Sequence, residues 1–205
     1  MKTLIFDFDG TLVDSFELVV DVAYELTGAP RLGEGQIRTL RRLPLLTAVH
    51  RLGVRWWSIP KLLVMARPRM YRRMHEVKPF PGIPELLSEL HKAGYHMLIM
   101  SSNREQNVRA CLRAHDLEHY FDGVYHGSVF HKVHGLKRVV KRNKLQRDSA
   151  YYIGNEALDV RSAKKVGIPA IAVTWSGQDK ARLEASKPLA LVSDPQEILN
   201  VVKKS

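Results

Sequence analysis

The chain has 205 residues, 45% of them hydrophobic and 26% charged, which are the proportions of a globular protein with a sizeable core and not of a disordered one. No apolar run approaches the roughly 20 residues of a membrane span, and the first such run is broken by Asp7 and Asp9, so neither a secretory leader nor a membrane association is expected and the expected location is cytoplasmic. The formal charge of +11, from 32 basic and 21 acidic residues, attracts nucleic acid and phosphorylated small molecules alike and does not choose between them.

Leu4, Ile5 and Phe6 have the character of a strand buried on both faces, so Asp7 stands where a parallel strand passes into loop. Ligand sites of parallel α/β sheets lie at such strand ends. Alternation along extended backbone turns Asp7 and Asp9 the same way, with Phe8 opposite. Two neighbouring carboxylates resist being ionised together, which suits one nucleophile and one acid.

Residues 16–80 show helical periodicity and no convincing strand. Leu18, Val19, Val22 and Leu26 make one apolar stripe, and Ile37, Leu40, Val49, Leu52, Leu62, Leu63 and Met65 supply others. The segment reads as a helical insertion, and its twelve Lys or Arg against five Asp or Glu place +7 of the net charge there. Trp56 and Trp57 are expected to pack its small core rather than to shape a substrate pocket. Arg38, Arg41 and Arg42 are expected to form an exposed basic face rather than to meet a second anionic group of a substrate. The insertion ends in Lys78-Pro79-Phe80-Pro81-Gly82, whose prolines stiffen the return and whose glycine can absorb a change of angle.

Strand patterns follow at residues 95–100, 123–125, 150–153, 170–175 and, more weakly, 189–192. Helical patterns lie at 83–93, 104–115, 135–143 and 157–166. The alternation predicts an α/β fold, a doubly wound parallel sheet with helices on both faces. Cys111, the one cysteine, falls on an apolar helical position and is expected to be buried. The nine histidines form no ligand set; His115 and His119 are four apart but lack the intervening Glu of a zinc-protease helix. Neither a nucleic-acid-binding motif nor aromatics interleaved with the basic residues is present, which argues against a nucleic-acid partner.

Three further strand ends carry candidate chemistry. Ser101, Ser102 and Asn103 bring hydroxyls and free amides to a helix start, suited to a phosphate oxygen or simply to capping that helix. Lys132 is expected in the loop ahead of a basic helix, where its ammonium would neutralise both a phosphate and an attacking carboxylate. In Gly154-Asn155-Glu156-Ala157-Leu158-Asp159, Asn155 and Asp159 offer oxygens to a hard cation such as Mg2+, or cap and charge the helix that follows.

Taken together, DFDGTLVD at residues 7–14 and these three later stretches resemble the haloacid dehalogenase-like hydrolase superfamily, over essentially the whole chain and in its motif order. The phosphatase side is implied, with a likeness to phosphoglycolate phosphatase-like proteins carried by residues 56–62 and 172–175. The resemblance implies a Rossmann-like core of residues 1–15 and 81–205 and a helical cap of residues 16–80. It implies an Mg2+-dependent phosphomonoesterase acting on a small phosphorylated metabolite such as phosphoglycolate. Asp7 is then the nucleophile that becomes an aspartyl-phosphate, Asp9 the acid and base, and Lys132 the third catalytic group. Thr11, Ser101, Ser102, Asn103 and Lys132 would bind substrate, and Asp7, Asp9, Asn155 and Asp159 would serve the metal. Relatives usually have Asp where this chain has Asn155, so weaker metal affinity is expected, and a phospho-ligand or partner-binding protein of low turnover stays open as the alternative.

Overall fold

The computed structural model describes residues 2–128 and 131–204, leaving Val129 and Phe130 of the stretch before Lys132 outside the described residues. Six strands, β1 (Thr3–Phe6), β2 (His96–Ser101), β3 (Gly123–His126), β4 (Ala150–Gly154), β5 (Ala170–Val173) and β6 (Ala190–Val192), form one parallel sheet in the order β3-β2-β1-β4-β5-β6. Side-chain alternation explains why the strands read as unbroken apolar runs. Leu4 and Phe6 enter the core on one face while Ile5 enters the core on the other, and Tyr151 and Ile153 divide from Tyr152 in the same way.

One face is covered by α5 (Ile83–Lys92), α6 (Glu105–Ala114) and α10 (Pro195–Lys204), the other by α7 (Lys132–Arg142), α8 (Ala157–Val166) and α9 (Lys180–Ala185). Cys111 is buried in the first of these layers and its thiol donates to the Val77 carbonyl. Sequence patterning did not reveal α9 and α10. The first has six residues, too few for a period, and the second follows the weakest strand at the end of the chain.

Between β1 and β2 the chain builds α1 (Phe16–Thr27), α2 (Glu34–Arg41), α3 (Leu45–Arg51) and α4 (Ile59–Arg73). Helix α1 has two buried sides. Leu18 and Val22 face the sheet-side core, as their stripe implied, whereas Val20, Ala23 and Tyr24 join Leu40, Ala48 and Leu52 in a separate cluster. The two chain segments entering and leaving this helical region are stitched together, Phe80 N to the Leu12 carbonyl at 3.0 Å and Asp14 N to the Lys78 carbonyl at 3.0 Å.

The tryptophans depart from expectation. Trp56 is 49% exposed and Trp57 70%, so neither belongs to a core. The His50 imidazole stacks on Trp56 with centroids 4.4 Å apart, and the Arg55 guanidinium lies 4.3 Å from the Trp57 ring centroid; adjacent partners satisfy both rings at the surface. Among the described residues no helix is long and apolar enough to cross a membrane.

Candidate active site

Sheet order places the site. The chain moves outward from β1 through β2 to β3, then returns to the other side of β1 for β4, and such a reversal opens a crevice at the carboxyl ends of the strands. Phe6 pairs with Ile99 and Ile153, so Asp7 leaves the sheet between the ends of β2 and β4, and its N–H still donates to the Ile153 carbonyl at 2.8 Å. A turn then begins at Gly10, which has φ +77°. A Cβ there would collide with the Asn155 amide; glycine is required by both the backbone and the close approach.

Lys132 is the hub. Its ammonium donates to Asp7 Oδ2 at 2.8 Å and forms an ion pair with Asp159 Oδ1. Helix α7 begins at Lys132, one turn earlier than the sequence pattern implied, so the lysine sits in the first helical turn and not in a preceding loop. Burial opposes its charge, but the Asp159 and Asp7 carboxylates outweigh that effect and raise its pKa well above the ordinary lysine value. Asp7 behaves oppositely. Burial pushes it up to about 7, Lys132 pulls it down, and Asp159 and Asp9 oppose a second negative charge.

Asp9 has its own donors. The Ser15 hydroxyl donates to Oδ1 at 2.7 Å and the Ser101 hydroxyl to Oδ2 at 3.4 Å, yet burial prevails and raises the Asp9 pKa. Ser15 is a site residue that sequence reading missed, and nothing in its spacing marks it. Ser101 is 1% exposed and also accepts from Asn103 N at 2.9 Å, so its hydroxyl organises the loop as well as Asp9. Ser102 and Asn103 line cavities beside Asp9. Helix α6 begins at Glu105 without a side-chain cap, which removes the capping role considered for Ser102 and Asn103.

Two residues stand elsewhere than anticipated. Thr11 is 1% exposed, and its hydroxyl donates to Asn155 Oδ1 at 3.4 Å instead of facing substrate space. Asp159 is equally buried, with Oδ2 accepting from Glu156 N at 2.8 Å and Oδ1 paired to Lys132; it positions the lysine and has no oxygen turned to the cavity. Of the arginines, Arg38 is exposed and pairs with Glu34, Arg42 is exposed, and Arg41 lines the site but is held by Asp14 at 2.6 Å. His115 Nε2 donates to the Val77 carbonyl at 2.7 Å and joins no ligand set among the described residues.

The donor set suits a hard cation, within limits. Asp7, Asp9, Glu156 and Asp159 gather near the Lys132 ammonium, with Arg41, Arg161 and Arg182 also lining the cavity, and a divalent ion between Asp7 and Asp9 would offset their mutual repulsion. Gly10 leaves the Asn155 amide a cradle against the turn that carries Asp9, and the Asn155 amide nitrogen donates to the Ser176 hydroxyl at 3.1 Å. Among the described residues, however, no three Asp, Glu, His or Cys side chains converge in metal-holding geometry.

Comparison with known proteins locates this arrangement. Residues 4–173 match the family profile described as haloacid dehalogenase-like hydrolase. A phosphoglycolate phosphatase of Synechococcus elongatus is 35% identical, covering 98% of this chain and 97% of that protein. One from Vibrio parahaemolyticus is 25% identical over 100% of this chain and 97% of its own length. Among solved structures, a haloacid dehalogenase-like family protein from Streptococcus pneumoniae superposes with a TM-score of 0.82 at 25% identity, covering 98% of this chain and 97% of that one.

Proposed function

The chain belongs to the haloacid dehalogenase-like hydrolases, and from that premise we propose that it is a magnesium-dependent phosphomonoesterase working through an aspartyl-phosphate on Asp7. The observation that carries the proposal is the Lys132 ammonium 2.8 Å from Asp7 Oδ2 at the end of β1, with Asp9 alongside. Phosphoglycolate is the reference substrate, because full-length relatives bear that name.

In the first half-reaction an Asp7 carboxylate oxygen bonds to phosphorus while the bond from phosphorus to the ester oxygen breaks. Asp9, whose pKa is raised by desolvation, gives its proton to the departing alkoxide. In the second, Asp9 takes a proton from water, the water oxygen bonds to phosphorus, and the acyl phosphate bond breaks to restore Asp7. Lys132, fixed by Asp159, favours the ionised form of Asp7 and orients it for attack, and meets the phosphoryl oxygens. A bound Mg2+, held by Asp7, the Asp9 carbonyl and Asn155, would screen the repulsion between nucleophile and phosphate. Residues 16–80 would serve as the cap, closing over the leaving group, with the paired segments at Leu12 to Asp14 and Lys78 to Phe80 as its base.

Purified protein supplied with Mg2+ is expected to release phosphate from p-nitrophenyl phosphate, and the Asp7→Asn form to release none above background. Equal rates from the two proteins would reject the mechanism.

A further inference from the structure

Two cavities meet at Asp9. One, of about 280 Å3, holds Asp7, Lys132 and Asn155 and mixes these with apolar side chains such as Phe16, Leu43 and Leu183. The second, of about 350 Å3, shares Asp9, Ser102, Leu45 and Leu46 with the first and extends away beneath the helical region. Its walls are of a different kind. Val22 and Leu26 of α1, Val49 of α3, and Ile59, Leu63 and Met70 of α4 supply an aliphatic surface. This volume lies within the range of about 300–1,000 Å3 typical of small-molecule sites.

Under the proposed mechanism Asp9 protonates the leaving oxygen, so whatever lies on the far side of Asp9 from Lys132 receives the alcohol portion of the substrate. The alcohol portion of phosphoglycolate is a two-carbon acid. It would leave most of this space unfilled and would present a carboxylate to aliphatic walls, an unfavourable transfer unless a cation compensates. Arg41, Arg161 and Arg182 line the first cavity and not the second, and Arg41 is already paired with Asp14. Arg67 and Arg104 border the second cavity, and a short acidic ester held by them is the rival occupant.

We infer that the second cavity is the leaving-group subsite of this chain and that the substrate is a phosphomonoester of an apolar alcohol, carrying an aliphatic or ring segment of several carbons. The inference rests on the phosphomonoesterase reading, and it departs from the two-carbon acid in the names of the relatives. Burying one methylene contributes about 0.8 kcal/mol, so each added methylene increases kcat/KM about threefold or more until the cavity is full.

The test is a series of n-alkyl phosphates from ethyl to octyl, with phosphoglycolate alongside, hydrolysed by the wild-type protein in Mg2+. The expected result is a rise in kcat/KM on the order of 100-fold from ethyl to hexyl phosphate, with hexyl phosphate above phosphoglycolate. A flat series, or phosphoglycolate above hexyl phosphate, overturns the inference. Calorimetric binding of the same esters to Asp7→Asn separates the two readings. Affinity that climbs with chain length while the wild-type protein releases no phosphate sinks the hydrolase reading and keeps the subsite. Affinity independent of chain length sinks the subsite. In Ala66→Trp, whose ring would enter the cavity from α4, the preference for hexyl over ethyl phosphate is expected to shrink at least tenfold, with folding checked by thermal unfolding. An undiminished preference in folded Ala66→Trp also overturns the assignment.

Discussion

The sheet end and the helical region above it are built on opposite electrostatic plans. At the sheet end, four carboxyl groups crowd around one lysine, Ser15 and Ser101 donate to Asp9, and the Asn155 amide is held between Thr11 and Ser176. In residues 16–80, twelve basic residues face five acidic ones, side chains such as Trp57, Val64 and Tyr71 are exposed, and the inner wall is aliphatic. The first arrangement tolerates little change because each group is the partner of another. In the second, an apolar inner lining is surrounded by a largely exposed outer surface. Chemistry is concentrated in the part with the fewest alternatives.

The largest effect is expected where that interdependence is greatest. Lys132→Met removes the partner of Asp7 and of Asp159 together, leaving Asp159 buried without a counter-charge. Phosphate release should fall by on the order of 10^3-fold or more, and chemical denaturation should show a loss of about 3–5 kcal/mol. An active, fully stable Lys132→Met protein would break the contrast between the two regions at its centre.

Next comes a change that separates activity from stability. The Asp7 pKa lies at about 7 in the fold, above its ordinary value of 3.8, because burial disfavours the carboxylate. The folded state therefore binds more protons than the unfolded state between those values, and Asp7 makes stability decline as pH rises through that window. Asp7→Asn should be inactive yet more stable than wild type at pH 8, by on the order of 2–4 kcal/mol, with the gain vanishing by about pH 4. Unfolding curves at the two pH values check the sign, and a variant less stable at pH 8 would show that the Lys132 pair outweighs desolvation.

These two residues were legible in the sequence, and the reason is physical. An apolar run ending in Asp7 and Asp9 fixes a strand, its exit and the direction of both carboxylates, and Lys132 stands at the end of another strand-to-helix passage. What the chain order does not contain is the third dimension of the network. Ser15 reaches Asp9 through the fold of the turn after β1, Ser176 meets Asn155 through tertiary packing, and Asp159, which reads as a cation ligand by spacing, is turned instead to Lys132. The helical region shows the same limit. Its helices are legible from their period, but a 3.6-residue repeat does not say that α1 is buried on two sides or that α4 lines a cavity within while exposing Met65 and Tyr71 without.

Asn155 bears on the contrast more gently, since it is the one neutral side chain at a position where the crowding of acids asks for a cation. Asn155→Asp adds a charged oxygen against Gly10 and Thr11. Half-maximal activation should then need about tenfold less Mg2+, with the maximal rate changed less than the midpoint. Identical Mg2+ midpoints in the two proteins would show that Asn155 takes no part in holding the ion.

The smallest effect is expected on the outer surface, and it is the sharpest test of whether the regions are separate. Trp57 is 70% exposed and its ring lies under the Arg55 guanidinium, so Trp57→Ser removes one surface cation–π contact of about 0.5–1 kcal/mol and opens no core. Stability should shift by no more than about 0.5–1 kcal/mol, and kcat/KM for any phosphate ester should stay within about twofold. Val49 and Ile59 share a small apolar cluster directly behind the turn that carries Trp57, and the same two residues line the inner cavity. A selective loss on long-chain esters in Trp57→Ser would therefore mean that the outer turn sets the position of the lining, and that shell and subsite move as one body.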